Sequence, residues 1–249
     1  MAASSNKSQP TVDEIIALLK KTSLPTVLCE GSDDLIIYRR LEEYLGHLGL
    51  SVLPAGGREN VLQVFERRAE IPRSVQLVFL ADRDTWINIG IPPKYVAPNI
   101  IFTDGYSIEN DVWVDGNLEA LLVGDEATRF RAELDEFIHW YALALNRHLN
   151  DPTQSIANHP DHVLDPAQRP ALLALLPNEA YPIGTKITLQ ANYKSLVRGK
   201  SLLNLLIRNT NSRRGQPKHS DKALLEMVAA RPGPIFSRLN MQVETVLSI

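Results

Sequence analysis

The chain has 249 residues, 44% of them apolar and 22% charged, and a formal net charge of −3. That length accommodates one or two domains with a core that needs no covalent staples. A single cysteine, Cys29, excludes an intramolecular disulfide framework and suits a reducing cytoplasm. No apolar run reaches the roughly 18 residues of a membrane span. The polar start MAASSNKSQP lacks the apolar segment of a secretory signal. With a slightly acidic balance, any nucleic-acid contact must come from local basic patches.

Residues 1–10 are polar and read as disordered. Thr11 and Glu14 form a T-x-x-E capping box ahead of Ile15, Ile16, Leu18 and Leu19, so a helix is expected there. Apolar residues 26–29 predict a first strand that stops at Glu30-Gly31. A helix over about 33–48 follows, with Leu35, Tyr38, Leu41, Leu45 and Leu48 at helical spacing and Gly49 as its stop. Residues 51–53 predict a second strand, and Pro54-Ala55-Gly56-Gly57 a turn. Residues 59–70 predict a helix with Val61, Leu62, Val64 and Phe65 inward. Residues 76–81 predict a third strand that delivers Asp82. This β-α-β-α-β order within about 60 residues implies a parallel sheet.

A Pro-rich connection over 91–98 leads to a fourth expected strand at 99–103 and then to GYSIEND at 105–111, which carries two more acids. Residues 125–149 have a long amphipathic helical pattern, and 151–185 are Pro-rich and read as irregular, with one short helix near Leu172. Residues 195–209 and 220–230 read as helices, and a final short helix follows Pro232 and Pro234. The expected fold class is α/β: a parallel sheet flanked by helices, then a mostly helical C-terminal half. The expected divisions are a tail and helix at 1–23, an α/β domain at 24–117 and a helical region at 118–249.

Ligands of open parallel sheets bind beyond the carboxyl ends of the strands. Glu30, Asp82 and Asp84 are therefore expected on one rim. Asp82 and Asp84, two residues apart, are expected to project to one side. Three crowded carboxylates repel unless a cation neutralises them, and an all-oxygen set suits Mg²⁺ or Mn²⁺. Two metals about 4 Å apart stabilise the attacking and leaving oxygens of phosphodiester hydrolysis. Glu30, Asp82 and Asp84 would hold one ion, and Asp34, Glu109 and Asp111 would complete a second. Blander roles stay open. Asp34 equally suits a helix N-terminal acid, Glu109 a turn cap, and Gly56-Gly57 a tight turn that with Arg58 would otherwise face a phosphate.

An apolar strand ending in Glu-Gly (VLCEG, 27–31), a helix, and a later apolar strand ending in Asp-x-Asp (VFLADRD, 78–84) resembles the TOPRIM domain of topoisomerases, primases and OLD-family nucleases. The resemblance spans about residues 24–115. EGSDD, PAGGREN and SIEND make the chain most similar to single-domain TOPRIM proteins of the OLD-like branch. Members of that branch work beside ABC-type ATPases in anti-phage defence, including the nuclease effector of PARIS-type systems. The resemblance implies a Mg²⁺- or Mn²⁺-dependent nuclease acting on DNA or RNA, tRNA included, under control of an ABC-type ATPase partner. It implies Glu30, Asp82 and Asp84 as catalytic metal ligands, with Asp34 and Glu109 joining them. OLD-like nucleases also use a lysine beyond the acidic cluster to steady the pentavalent phosphate, and Lys200, opening a helix after Gly199, is similar. A solvated helix-start lysine is the alternative for Lys200, and a homodimer stays open. One departure is that Thr85-Trp86 follow Asp84 where many TOPRIM domains place a glycine, which argues against a topoisomerase or primase. The rival to a nuclease is a non-catalytic subunit that docks to an ATPase or nucleic acid and whose acids are vestigial.

Other motifs carry less. Gly199-Lys200-Ser201 is not a Walker A loop, because the position five before Gly199 is Lys194 and no strand precedes it. His159, Asp161 and His162 lack the frame of a zinc site. Cys29 suits a small buried apolar position. Residues 208–219, RNTNSRRGQPKH, form the most basic loop, either simply solvated or touching a nucleic-acid backbone with steep salt dependence.

Overall fold

The four apolar runs pair side by side in one all-parallel sheet. In the computed structural model, which describes residues 9–31, 34–210 and 218–248, the strands are β1 (Thr26–Cys29), β2 (Ser51–Pro54), β3 (Leu77–Ala81) and β4 (Ile100–Phe102), in the order β2-β1-β3-β4. The helices are α1 (Val12–Leu19), α2 (Leu35–Tyr44), α3 (Arg58–Glu66), α4 (Trp86–Ile89), α5 (Ile108–Asp115), α6 (Asp125–Asn150), α7 (Pro160–Val163), α8 (Arg169–Leu173), α9 (Ile183–Ala191), α10 (Tyr193–Leu196), α11 (Gly199–Asn209), α12 (Asp221–Ala229) and α13 (Pro234–Leu247). The fold class is thus the α/β arrangement expected, a parallel sheet with flanking helices and a helical C-terminal half.

The described residues fall into two compact units. The first comprises Met1–Asp82, Ile91–Thr103 and Phe236–Ile249, and the second Arg83–Gly90 and Asp104–Ile235. The boundary expected near residue 117 lies inside the second unit, just after α5. The expectations for residues 1–8 and for most of the basic loop, 211–217, lie outside the described residues.

In the first unit the two central strands, β1 and β3, are buried along their whole length, whereas β2 and most of β4 are half-buried. Val27, Leu28, Cys29, Val78 and Phe79 are all fully buried. Strands covered on both faces read as continuous apolar runs instead of alternating ones. Helix α3 lays Val61, Val64 and Phe65 inward and packs on β1 and β3. The Phe65 ring meets Phe79 edge-on at 5.2 Å. Each such side chain contributes about 1.5–3 kcal/mol by leaving water. Helix α1 starts at the expected capping box: the Thr11 N–H donates to Glu14 Oε2 at 2.8 Å, and the Glu14 N–H to Thr11 Oγ1 at 3.3 Å. Helix α2 ends earlier than its apolar spacing suggests. The chain tightens into a 3₁₀ turn at Gly46–Leu48 before Gly49, at φ +62°, reverses it.

The second unit is built around α6, whose Phe130, Phe137 and Tyr141 are fully buried. Trp113 of α5 stacks on Phe130 at 5.7 Å. Periodicity does not announce every helix of this unit, α5 and α9 among them. Helix α5 begins inside SIEND, and its first turn buries Glu109, Asn110 and Asp111 instead of apolar residues. Helix α9 starts at the end of the 151–185 stretch, expected to be irregular, and runs on past it; Ile183 and Ile187 on it are exposed, so no inward apolar stripe announces it. The final helix, α13, has 14 residues and is longer than expected. Among the described residues, no helix is long and apolar enough to cross a membrane.

Candidate functional site

In the first unit, β1 and β3 are parallel neighbours, so their carboxyl ends share one edge of the sheet. Glu30 follows β1 and Asp82 follows β3. The Asp82 N–H donates to Glu30 Oε1 at 2.6 Å. A short charge-assisted bond of this kind holds the carboxylate against the end of β3. The Pro54–Gly57 turn docks on the same edge. Ala55 N–H donates to the Cys29 carbonyl at 2.8 Å, and Gly57 N–H to the Glu30 carbonyl at 2.7 Å. Gly56 at φ +85° and Gly57 at φ +141° occupy backbone regions that side chains disfavour, which is why this turn needs its glycines. Arg58 then opens α3, and its Nε donates to the Asp82 carbonyl at 2.8 Å. Glu30, Arg58 and Asp82, far apart in the chain, are thereby gathered.

Asp34 is used locally. Its Oδ2 accepts the Gly31 N–H at 2.9 Å. Burial pushes the Cys29 thiol far above its ordinary range, and the Asp34 and Glu30 charges push it further. A fully buried thiol held protonated is a packing residue, as its position in an apolar strand suggests.

The remaining sequence candidates belong to the second unit. Strand β3 stops at Ala81, and Asp84 takes φ +49°, in the left-handed region. The expected two-residue alternation therefore does not reach Asp84. The Asp84 N–H donates to the Tyr106 carbonyl at 2.7 Å. Aspartate tolerates this backbone region better than most residues, and such outliers concentrate at turns and functional sites. Glu109 is 7% exposed, and its Oε2 accepts from the Ser107 hydroxyl at 2.5 Å. Asp111 accepts the Gly105 N–H at 2.8 Å and the Asp104 N–H at 3.1 Å. Burial pushes its carboxyl up to about 7; the two N–H groups pull it down, and the Asp104 and Asp115 charges push it up further.

Lys200 is exposed at the second position of α11. Its neighbour Gly199 is buried against the start of α5. A Cβ there would lie 2.4 Å from Ser107 Oγ, 2.7 Å from Asn110 Oδ1 and 2.8 Å from Glu109 Cβ. Only glycine fits this approach, so the Gly-Lys-Ser run serves helix packing instead of a phosphate loop. The contact brings Glu109 and the Gly199-Lys200 turn together. Asn110, which the sequence did not single out, is fully buried between them. The available signal was an amide lodged between two acids in SIEND.

His159 and Asp161 have a structural use. His159 Nδ1 accepts the Asp161 N–H at 3.2 Å, and Asp161 pairs with Arg208, which also pairs with Glu133.

The gathered carboxylates are hard oxygen donors, the type that Mg²⁺ and Mn²⁺ take. Among the described residues, no group of three or more His, Cys, Asp or Glu side chains is placed to hold a metal ion. No protein-family model matches the chain, and no curated protein matches it in sequence.

Proposed function

We propose that the chain is a divalent-metal-dependent nuclease that hydrolyses phosphodiester bonds of DNA or RNA, with tRNA among its candidate substrates. The observation that carries this is the Asp82 N–H on Glu30 Oε1 at the carboxyl edge of adjacent parallel strands. It draws the ends of two acidic strands together where ligands of such sheets bind. Glu30 and Asp82 would hold Mg²⁺ or Mn²⁺, which when bound would supply positive charge against the attacking and leaving oxygens. Arg58, fixed to the Asp82 main chain at the start of α3, contributes a cation beside that edge. The TOPRIM resemblance implies Asp34 as a further ligand in the first unit and, in the second, ligand roles for Asp84 and Glu109 and a phosphate-steadying role for Lys200. It also supplies the setting: a cytoplasmic effector controlled by an ABC-type ATPase partner.

A specific observation favours the second reading, a non-catalytic subunit. The Asp34 and Asp111 carboxylates are each engaged by main-chain N–H groups near them in sequence, as structural acids are. Purified protein incubated with plasmid and with total tRNA, in Mg²⁺ and in EDTA, separates the two. The nuclease reading expects cleavage in Mg²⁺ alone, lost in Glu30→Ala together with any toxicity on expression. Intact substrate in every arm, with the ATPase partner also present, would leave the docking subunit.

A further inference from the structure

We infer that Asn110 is a positioning residue, which clamps the chain leading into α11 so that Lys200 is presented beside Glu109. Its catalytic consequence rests on the nuclease reading; the clamp itself does not.

The side-chain amide is used at both ends. Its Oδ1 accepts the Ser107 N–H at 3.0 Å, which caps the start of α5. Its Nδ2 donates to the Lys194 carbonyl at 2.8 Å and to the Val197 carbonyl at 2.9 Å, 84 and 87 positions away in the chain. A cap alone needs only the acceptor, and a carboxylate or hydroxyl supplies that equally well. The two donated bonds therefore mark a second task, and only an amide of this size performs both. The Tyr106 N–H reinforces the clamp by donating to the Ser195 carbonyl at 2.8 Å. Lys194, Ser195 and Val197 are thus all tied to the segment that carries Glu109, immediately before Gly199 turns into α11. Gly199 then seats against Ser107, Glu109 and Asn110 with no room for a Cβ. Lys200 follows one residue later, at a place set by these bonds and not by packing of its own exposed side chain.

The test uses the full chain and two variants. Asn110→Ala removes the side-chain bonds to Ser107, Lys194 and Val197 together. Asn110→Asp keeps the volume and the cap but turns the donors into an acceptor facing two carbonyls. In both, native-state hydrogen exchange of amides 196–202 should quicken at least about tenfold while the β1 and β3 amides keep their rates. In Mg²⁺-dependent cleavage, kcat should fall about 100-fold, as expected when a reacting group is misplaced by about 1 Å. KM should stay within about twofold, because substrate binding is not the function removed. Adding Lys200→Ala to Asn110→Ala should cost little beyond Lys200→Ala alone, the non-additivity of residues that act as one unit. Unchanged exchange in both variants would overturn the clamp. Faster exchange with unchanged kcat, or losses that multiply in the double variant, would overturn its positioning role. A wild-type chain that cleaves nothing would sink the nuclease reading by itself, and the exchange result would still decide the clamp.

Discussion

The sheet edge of the first unit and the α5–α11 corner of the second hold their functional candidates by different means. At the sheet edge, apolar packing beneath the strands sets the geometry. Val27, Leu28, Val78 and Phe79 are fully buried, and Glu30 and Asp82 are delivered simply by being next in the chain. At the corner, buried polar side chains bond to main chain, Asn110 to the distant Lys194 and Val197 and Asp111 to the nearby Gly105 and Asp104. The geometry of the first kind of site should fail when volume is lost below it. The second kind fails when a single donor becomes an acceptor.

The largest effect that follows is in the core beneath the sheet edge. Phe65→Ala removes a fully buried ring set against Phe79 and should cost about 3–5 kcal/mol of unfolding free energy in urea titration. A loss below about 1 kcal/mol would mean that packing does not govern this unit. Next comes Gly199→Ala. A Cβ 2.4 Å from Ser107 Oγ must displace the corner, and overpacking of this kind costs about 1–3 kcal/mol. An equally stable variant would show that the approach of α11 to α5 is loose.

Two pH dependences of opposite sign sharpen the comparison within the second unit. Burial raises the Asp111 carboxyl to about 7 from an ordinary value of 3.8. The folded chain then binds more protons than the unfolded one between those values, so this group's contribution to stability falls as pH rises from about 4 to 7. Asp111→Asn should flatten that part of the stability–pH curve, and an unchanged slope would assign it to another group. Glu179 behaves the other way. Arg147, through its hydrogen bonds, holds the Glu179 carboxyl down at about 2, below its ordinary 4.5, and the Leu176 N–H adds to this. Its stabilisation is complete above the unfolded value and is lost as pH falls from about 4.5 to 2. This is the smallest effect, because the pair is partly solvated and screened, and Glu179→Gln should remove it. A Glu179→Gln curve that still tracks the wild type below pH about 4 would contradict it.

The difference in construction also explains what the sequence disclosed. Strand and helix periods are local, so β1, β3, α3 and the Thr11 capping box were legible, and with them the edge that carries Glu30 and Asp82. Helix α5 was not, because its first turn buries Glu109, Asn110 and Asp111, and buried polar residues carry no apolar stripe. Asn110 was invisible for the same reason: its partners lie 84 and 87 residues away, and no local pattern encodes a bond across that span. Strand alternation does not extend to Asp84, because β3 ends at Ala81 and Asp84 takes φ +49°.

The central claim is that the acids at the ends of β1 and β3 hold a hard divalent cation. Isothermal calorimetry of the full chain with Mg²⁺ and Mn²⁺, wild type against Glu30→Ala, tests it without requiring a substrate or a partner. Wild type should bind with millimolar or tighter affinity, and Glu30→Ala should bind at least about tenfold more weakly. Equal binding by the two proteins, or none by either, would contradict it.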